Sequence, residues 1–210
     1  MVTVKPRTYD ASRRRRQADH TRAAIMDVAR RRFLTDGYAA TTIASIATDA
    51  GASTDTVYKS FGGKAGLLRA ICADALAGRE SVPAEQRSDA MQAATSDPPT
   101  MLRGLGMLTS EIAPRIAPLL LLLAGAADGD DALTELRTEL ETQRMERMLH
   151  AARNLAAKTA LRPGRTLQET ADILSVYSSP ELYRLLVIGR GWTAQRYGEF
   201  VGESLIAALL

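Results

Sequence analysis

The chain has 210 residues, 46% of them hydrophobic and 24% charged, a balance that supports a buried core and excludes whole-chain disorder. Its net charge of +3 conceals an asymmetry: residues 1–79 hold 14 Lys/Arg against 7 Asp/Glu, and residues 80–210 hold 13 against 17, so a polyanion partner is expected at the front. The single cysteine, Cys72, excludes an internal disulfide and points to a reducing cytoplasm; the longest apolar stretch, 12 residues at 116–127, falls short of the roughly 20 of a bilayer span, and the N-terminus lacks a secretory apolar run, so neither membrane helix nor signal is expected.

Residues 1–16 contain Pro6, no hydrophobic periodicity and the run Arg13, Arg14, Arg15, Arg16, and are expected to form a disordered basic arm. From about residue 18, Ile25, Val28, Ala29 and Phe33 fall on one helical face, which Gly37 closes and Tyr38 packs against. Thr41 and Thr42 offer an N-cap to a short helix carrying Ile43, Ile46, Ala47 and Ala50. Gly51 stops it, and Ser53 caps a second short helix over about 54–60 with Val57, Tyr58 and Phe61. Gly62-Gly63 breaks that helix, and Lys64 opens a longer one to about 79, with Leu67, Leu68, Ile71, Cys72 and Ala75 inward. No β period appears. Residues 80–99 are polar, with a short helix at 84–94. Two apolar helices are expected at 100–112 and 114–126, with Pro114 and Pro118 at their ends or kinks. A long helix begins at 132 on the 3.6 period of Leu133, Leu136, Leu140, Met148, Ala151, Ala152 and Leu155. Helices at about 166–178, 180–190 and 194–209 complete an all-α chain of about nine to ten helices.

Two short helices joined by a tight turn over Thr41–Lys64 have the form of a helix-turn-helix. The first braces across the nucleic-acid backbone, and the second is short enough for its N-terminal half to enter a major groove about 12 Å wide. The pattern alone also describes ordinary caps and a turn in a helical bundle. Its detailed wording resembles the N-terminal domain of the TetR family of transcriptional regulators. The matching residues are Ala29, Phe33, Gly37-Tyr38, Thr41-Thr42-Ile43, Ile46-Ala47, Ala50-Gly51, Ser53, Thr56-Val57-Tyr58, Phe61, Lys64 and Leu67-Leu68, collinear over roughly 22–75. The ending, from Tyr183 through Gly191-Trp192 to Leu210, is similar to the C-terminal segment of such regulators.

The resemblance implies an N-terminal helix-turn-helix DNA-binding domain over 17–79, with 64–79 as its linking helix, and an effector-binding and dimerisation domain over 80–210. It implies double-stranded DNA, a pseudo-palindromic operator, as partner. DNA contact is expected from Thr42, Ser53, Thr54, Thr56, Tyr58 and Lys59, with Lys64 clamping a phosphate and the four arginines strengthening affinity. Asp55, in the first turn of the recognition helix, departs from the small neutral residue usual there and would repel phosphate.

The resemblance also implies a homodimer built from the last two helices, and the small residues Gly198 and Gly202, beside Val201 and Leu205, are expected at that interface. Close packing within one subunit explains the same glycines. Met101, Leu105, Leu108, Met145, Met148 and Tyr177 are expected to line a pocket for an apolar or amphipathic effector, with Arg115, Arg144 and His150 as further polar candidates. His20 and His150, the only histidines, have no metal-ligand spacing, and no phosphate-binding glycine loop is present, so no enzyme, cofactor, metal or membrane is expected. The whole reads as a repressor released from its operator by a small molecule. A non-specific architectural DNA binder and a helical ligand-binding protein without an operator are the alternatives.

Overall fold

A computed structural model describes residues 8–127 and 129–210, with side chains from Ser12 onward. Every regular element among these residues is helical, and the chain divides into two compact units, Met1–Ile71 and Cys72–Leu210.

The first unit opens on α1, Thr8–Thr35. The expected arm is corrected here. Residues 1–7 lie outside the described residues, but the chain is helical from Thr8, and Arg13–Arg16 stand exposed on that helix. Helix propagation costs little once a buried face has nucleated it, and Arg, Ala and Gln are good helix formers, so the helix runs back beyond its apolar stripe. That stripe is Ile25, Val28, Ala29 and Phe33, and the Tyr38 ring lies 5.2 Å from that of Phe33.

Then come α2, Ile43–Asp49, and α3, Thr54–Phe61. Each begins as its sequence directs. The Thr42 hydroxyl accepts from the Ser45 N–H while the Ser45 hydroxyl accepts from the Thr42 N–H, a reciprocal capping box. Ser53 accepts from the Thr56 N–H at 3.1 Å. Between the helices Gly51 takes φ +63°, a conformation that L side chains resist. Ile46, Ala47 and Val57 are buried with Leu67 and Leu68 of α4, Lys64–Ala77. A methyl group on Gly66 would collide with the Phe61 carbonyl, so this glycine permits the sharp α3–α4 join.

The second unit holds α5 (Ala84–Ala94), α6 (Pro98–Ala126), α7 (Asp131–Ala156), α8 (Leu167–Tyr177), α9 (Pro180–Tyr183, continuing as a π-helix over Arg184–Ile188) and α10 (Ala194–Leu209). The two helices expected over 100–126 are one. Pro114 and Pro118 each remove a backbone donor and cost about 3 kcal/mol in a helix interior. The helix persists because apolar residues are buried all along it: Met101 and Leu102 before the two prolines, Ile116 and Ala117 between them, Leu119 and Leu123 after. By length and composition alone α6 matches a bilayer span, which the count of uninterrupted apolar residues missed. In this unit it is the bundle's core helix. Arg103 pairs with Glu203, Glu111 with Arg87 and Arg115 with Asp74.

α6 and α10 are the most extensively packed pair in the unit. A methyl group on Gly198 would lie 2.5 Å from Ser110 Cβ and 2.6 Å from the Gly106 carbonyl oxygen; one on Gly106 would lie 2.7 Å from the Gly202 nitrogen. The backbones touch there. Gly198, Val201, Gly202 and Leu205, expected at a subunit interface, are therefore interior residues of one subunit, all buried. Tyr197, beside them, is fully buried and donates to the Tyr177 carbonyl at 3.3 Å; burial pushes its phenol up to about 12.

Candidate functional site

α3 is eight residues long, about 12 Å, with Val57 turned fully into the core. Its outer side presents Thr54, Asp55, Tyr58 and Lys59, all exposed, and Tyr58 retains 55% of its surface. Among the residues expected to touch DNA, Thr54, Tyr58 and Lys59 thus share a free face, and Thr42 opens α2 with an exposed side chain. Ser53 and Thr56 are placed differently. Their hydroxyls bond each other at 2.8 Å, and Ser53 also caps the helix. They fix where α3 starts, and offer a ligand less than their residue type suggests.

Lys64 departs further from expectation. Its ammonium donates to the carbonyls of Tyr38 at 2.9 Å and Thr41 at 3.1 Å, and sits 4.2 Å from the centre of the Tyr38 ring. Two of its three donors therefore tie the α1–α2 loop to the start of α4. Its expected role as a phosphate clamp is corrected to that of an internal brace.

Two braces had no signal in the spacing. Arg22 of α1 donates to the Ser60 carbonyl at 2.9 Å, with its guanidinium 4.2 Å from the Phe61 ring centre. Arg32 pairs with Asp49 of α2 at 2.8 Å and with Asp36 at 3.1 Å. Charge partners far apart in sequence leave no periodic trace; only the fold shows that α1 carries the helix-turn-helix on these two arginines.

The second unit contains a cleft of about 550 Å³, within the range of small-molecule sites. Its walls are mostly aliphatic. α6 supplies Leu105, Leu108, Ile112, Ile116 and Leu120; α7 supplies Leu140, Met148 and Ala151; Ala73, Leu76 and Ala77 of α4 close one side. Of the residues expected at an effector pocket, Leu105, Leu108 and Met148 line this cleft. Met101, Met145 and Tyr177 do not. Met101 is fully buried in the core, the Met145 sulfur meets Gln168, and Tyr177 packs on the core with its carbonyl holding Tyr197. Methionines at helical spacing mark a buried face without saying whether that face meets a neighbour or a void.

Of the polar candidates, Arg115 reaches Asp74 and the Ala75 carbonyl, and His150 lies 3.3 Å from Asp89. Arg147, which the sequence did not single out, lines the cleft bound to Asp89 at 2.5 Å and Glu85 at 3.2 Å. Arg144 also lines it, donating to the Ser175 carbonyl and, at 3.4 Å, to the Ser178 hydroxyl. Burial pushes its guanidinium below the ordinary arginine value, against the opposing pull of Glu181, Tyr197 and Glu141.

Among known proteins, residues 25–71 match the family model described as "Bacterial regulatory proteins, tetR family". No curated protein matches the chain. Among solved structures, the chain is similar in fold to NalD, the secondary repressor of the MexAB-OprM multidrug efflux pump in Pseudomonas aeruginosa, with TM-score 0.72 and 20% identity over 92% of this chain and 98% of that one. It is similar to SmeT in complex with triclosan, with TM-score 0.71 and 22% identity over 90% and 91%. The ketosteroid transcriptional regulator KstR2 of Mycobacterium tuberculosis aligns with TM-score 0.63 and 18% identity over 90% and 94%. The family model thus covers the helix-turn-helix of the first unit, and the solved structures share the all-α fold over about nine-tenths of the chain.

Proposed function

We propose that the chain is a homodimeric repressor that binds a pseudo-palindromic operator through α3 and leaves it when a small molecule fills the cleft. The observation that carries this is the outer face of α3, where Thr54, Tyr58 and Lys59 stand free on a short, doubly capped helix in the basic unit of the molecule. The hydroxyls and ammonium suit base edges and phosphates, and Tyr58 adds an apolar body for a thymine methyl. Asp55 on the same side suits the amino group of a cytosine. Arg13–Arg16, exposed along α1, add sequence-independent attraction to phosphate.

The dimer surface we infer is different from the one the glycines suggested. Val176 is 62% exposed, Ile188 58%, Leu185 53% and Phe200 36%, on α8, the π-helix and α10. The Trp192 ring meets that of Phe200 edge-to-face at 5.5 Å. A π-helical turn offsets the side chains that follow it, and here Leu185 and Ile188 are turned to the surface. Large apolar residues left outside on adjacent elements suit a self-complementary two-fold interface.

Ligand response rests on α4. The helix begins in the DNA-binding unit and ends, at Ala73, Leu76 and Ala77, as part of the cleft wall. An effector that favours one position of these residues shifts the population of DNA-competent dimers by its differential affinity for the two states. Selection from a random double-stranded DNA library tests the proposal. Enrichment of an inverted repeat with half-site centres about 34–36 Å apart is expected. Salt-sensitive binding without enrichment would make the chain an architectural binder, and absence of binding would overturn the DNA reading.

A further inference from the structure

The cleft of the second unit is mostly aliphatic, with Glu85, Arg144, Glu146 and Arg147 as its charged lining. Leu105 and Leu120, both on α6 and both in its wall, are 15 residues apart, about 22 Å along the helix. An aliphatic wall of that length suits an extended apolar chain.

Two cations enter the wall, and they differ. Arg147 is neutralised by Asp89 and Glu85. Arg144 has no carboxylate within ion-pair distance among the described residues; its partners are a carbonyl and a hydroxyl, Ser175 and Ser178. Desolvation is the largest influence on its guanidinium, and the acids that act on it, Glu181 and Glu141, do so without contact. A desolvated cation held only by neutral acceptors is the group in this cleft with most to gain from an anion, because each charge-assisted bond there replaces lost hydration. The acids on the wall do not offer the same to a cationic ligand. Glu85 is already paired, and Glu146 is exposed and keeps its water.

We infer that the cleft takes an unbranched alkyl carboxylate, its chain along the aliphatic face of α6 and its carboxylate on Arg144. This rests on the effector reading above and names the chemical class of the effector. The planar guanidinium fork suits the two carboxylate oxygens. The polar contacts needed are few, as in other predominantly apolar sites.

Isothermal titration of the full chain with dodecanoate, dodecanol and dodecyltrimethylammonium, each below its micellar concentration, separates the headgroups on one chain length. Dodecanoate is expected to bind at least tenfold more tightly than either. Arg144→Gln is expected to remove that preference while leaving dodecanol binding within about twofold, with circular dichroism showing that the variant folds. The comparison of headgroups on the wild-type chain decides the matter even if the variant does not fold. Equal or tighter binding of the alcohol or the ammonium, or no binding of dodecanoate, overturns the inference. Binding of the ligand-free chain to its selected operator is measured in parallel. Retained operator binding without carboxylate preference refutes the ligand class alone, whereas loss of operator recognition refutes the regulator reading.

Discussion

Gly106→Ala is the sharpest test of the packing described here. In most helix interiors this substitution stabilises by about 1 kcal/mol, because glycine loses more backbone freedom on folding. At Gly106 the new methyl would lie 2.7 Å from the Gly202 nitrogen and 2.9 Å from the Gly202 Cα, with the Gly198 carbonyl closer still. All three are backbone atoms, so no side chain can rotate away. α6 and α10 must separate by the better part of an ångström. A gap of that size forfeits a quarter to a half of the dispersion well for each pair it opens. The seam includes Met101, Leu102, Tyr197, Val201 and Leu205, all essentially buried. Overpacking of this kind costs typically about 1–3 kcal/mol, and the rigidity of both partners puts Gly106→Ala at the upper end, about 2–3 kcal/mol net of the helix-propensity gain. At about 2–4 °C per kcal/mol for a chain of this size, the melting temperature is expected to fall by roughly 5–10 °C. Gly125→Ala, on the same helix with nothing within 4 Å of the added methyl, serves as control and is expected to be neutral or stabilising. A Gly106→Ala protein as stable as the control would refute the close approach of α6 and α10. A loss that disappears at high protein concentration would return these glycines to the dimer interface.

Lys64→Met removes two charge-assisted bonds and the approach to the Tyr38 ring, and is expected to destabilise the N-terminal unit by about 1–3 kcal/mol in urea unfolding while the salt slope of DNA binding changes little. Replacing Arg13–Arg16 by alanine is expected to weaken operator and random DNA alike, with log K against log salt shallower by about 0.9 for each phosphate that is no longer neutralised. Leu185→Glu, at an exposed site, is expected to leave the monomer folded and shift sedimentation from dimer to monomer; an unchanged dimer would place the interface elsewhere. Arg87 holds the Glu111 carboxyl below its ordinary 4.5. The stability this pair contributes is therefore complete above about pH 4.5 and is lost as pH falls through the lowered native value. Glu111→Gln is expected to flatten the acid limb of stability against pH and leave its alkaline side unchanged.

What was legible in the chain follows from what a local pattern can encode. Caps, glycine stops and apolar stripes act within a few residues, so α2, α3, α7, α8 and α10 start where Thr42, Ser53, Asp130, Thr166 and Thr193 put them. Sequence patterns mislead where the decision is tertiary. Pro114 and Pro118 suggested a break that burial of the flanking turns of α6 overrides. Small residues on α10 showed that something approaches closely, but not that it is Gly106 of the same chain. At the DNA face, residue type showed that Lys64 was a cation; only the fold shows that two carbonyls already hold it. In the cleft, Leu105, Leu108 and Met148 were foreseeable, whereas the contrast between paired Arg147 and Arg144 depends on acids from other helices.

The central claim is that α3 reads DNA sequence. The most direct measurement titrates the chain, and a Thr54→Ala/Tyr58→Ala variant, against DNA from immediately upstream of its own gene and against a scrambled fragment, at two salt concentrations. The account predicts tighter binding of the wild type to the upstream fragment, saturation at a multiple of two subunits, weakening with salt, and a variant that binds both fragments with the same residual affinity. A variant that keeps the wild-type preference would contradict it, because the discrimination would then reside somewhere other than the exposed face of α3.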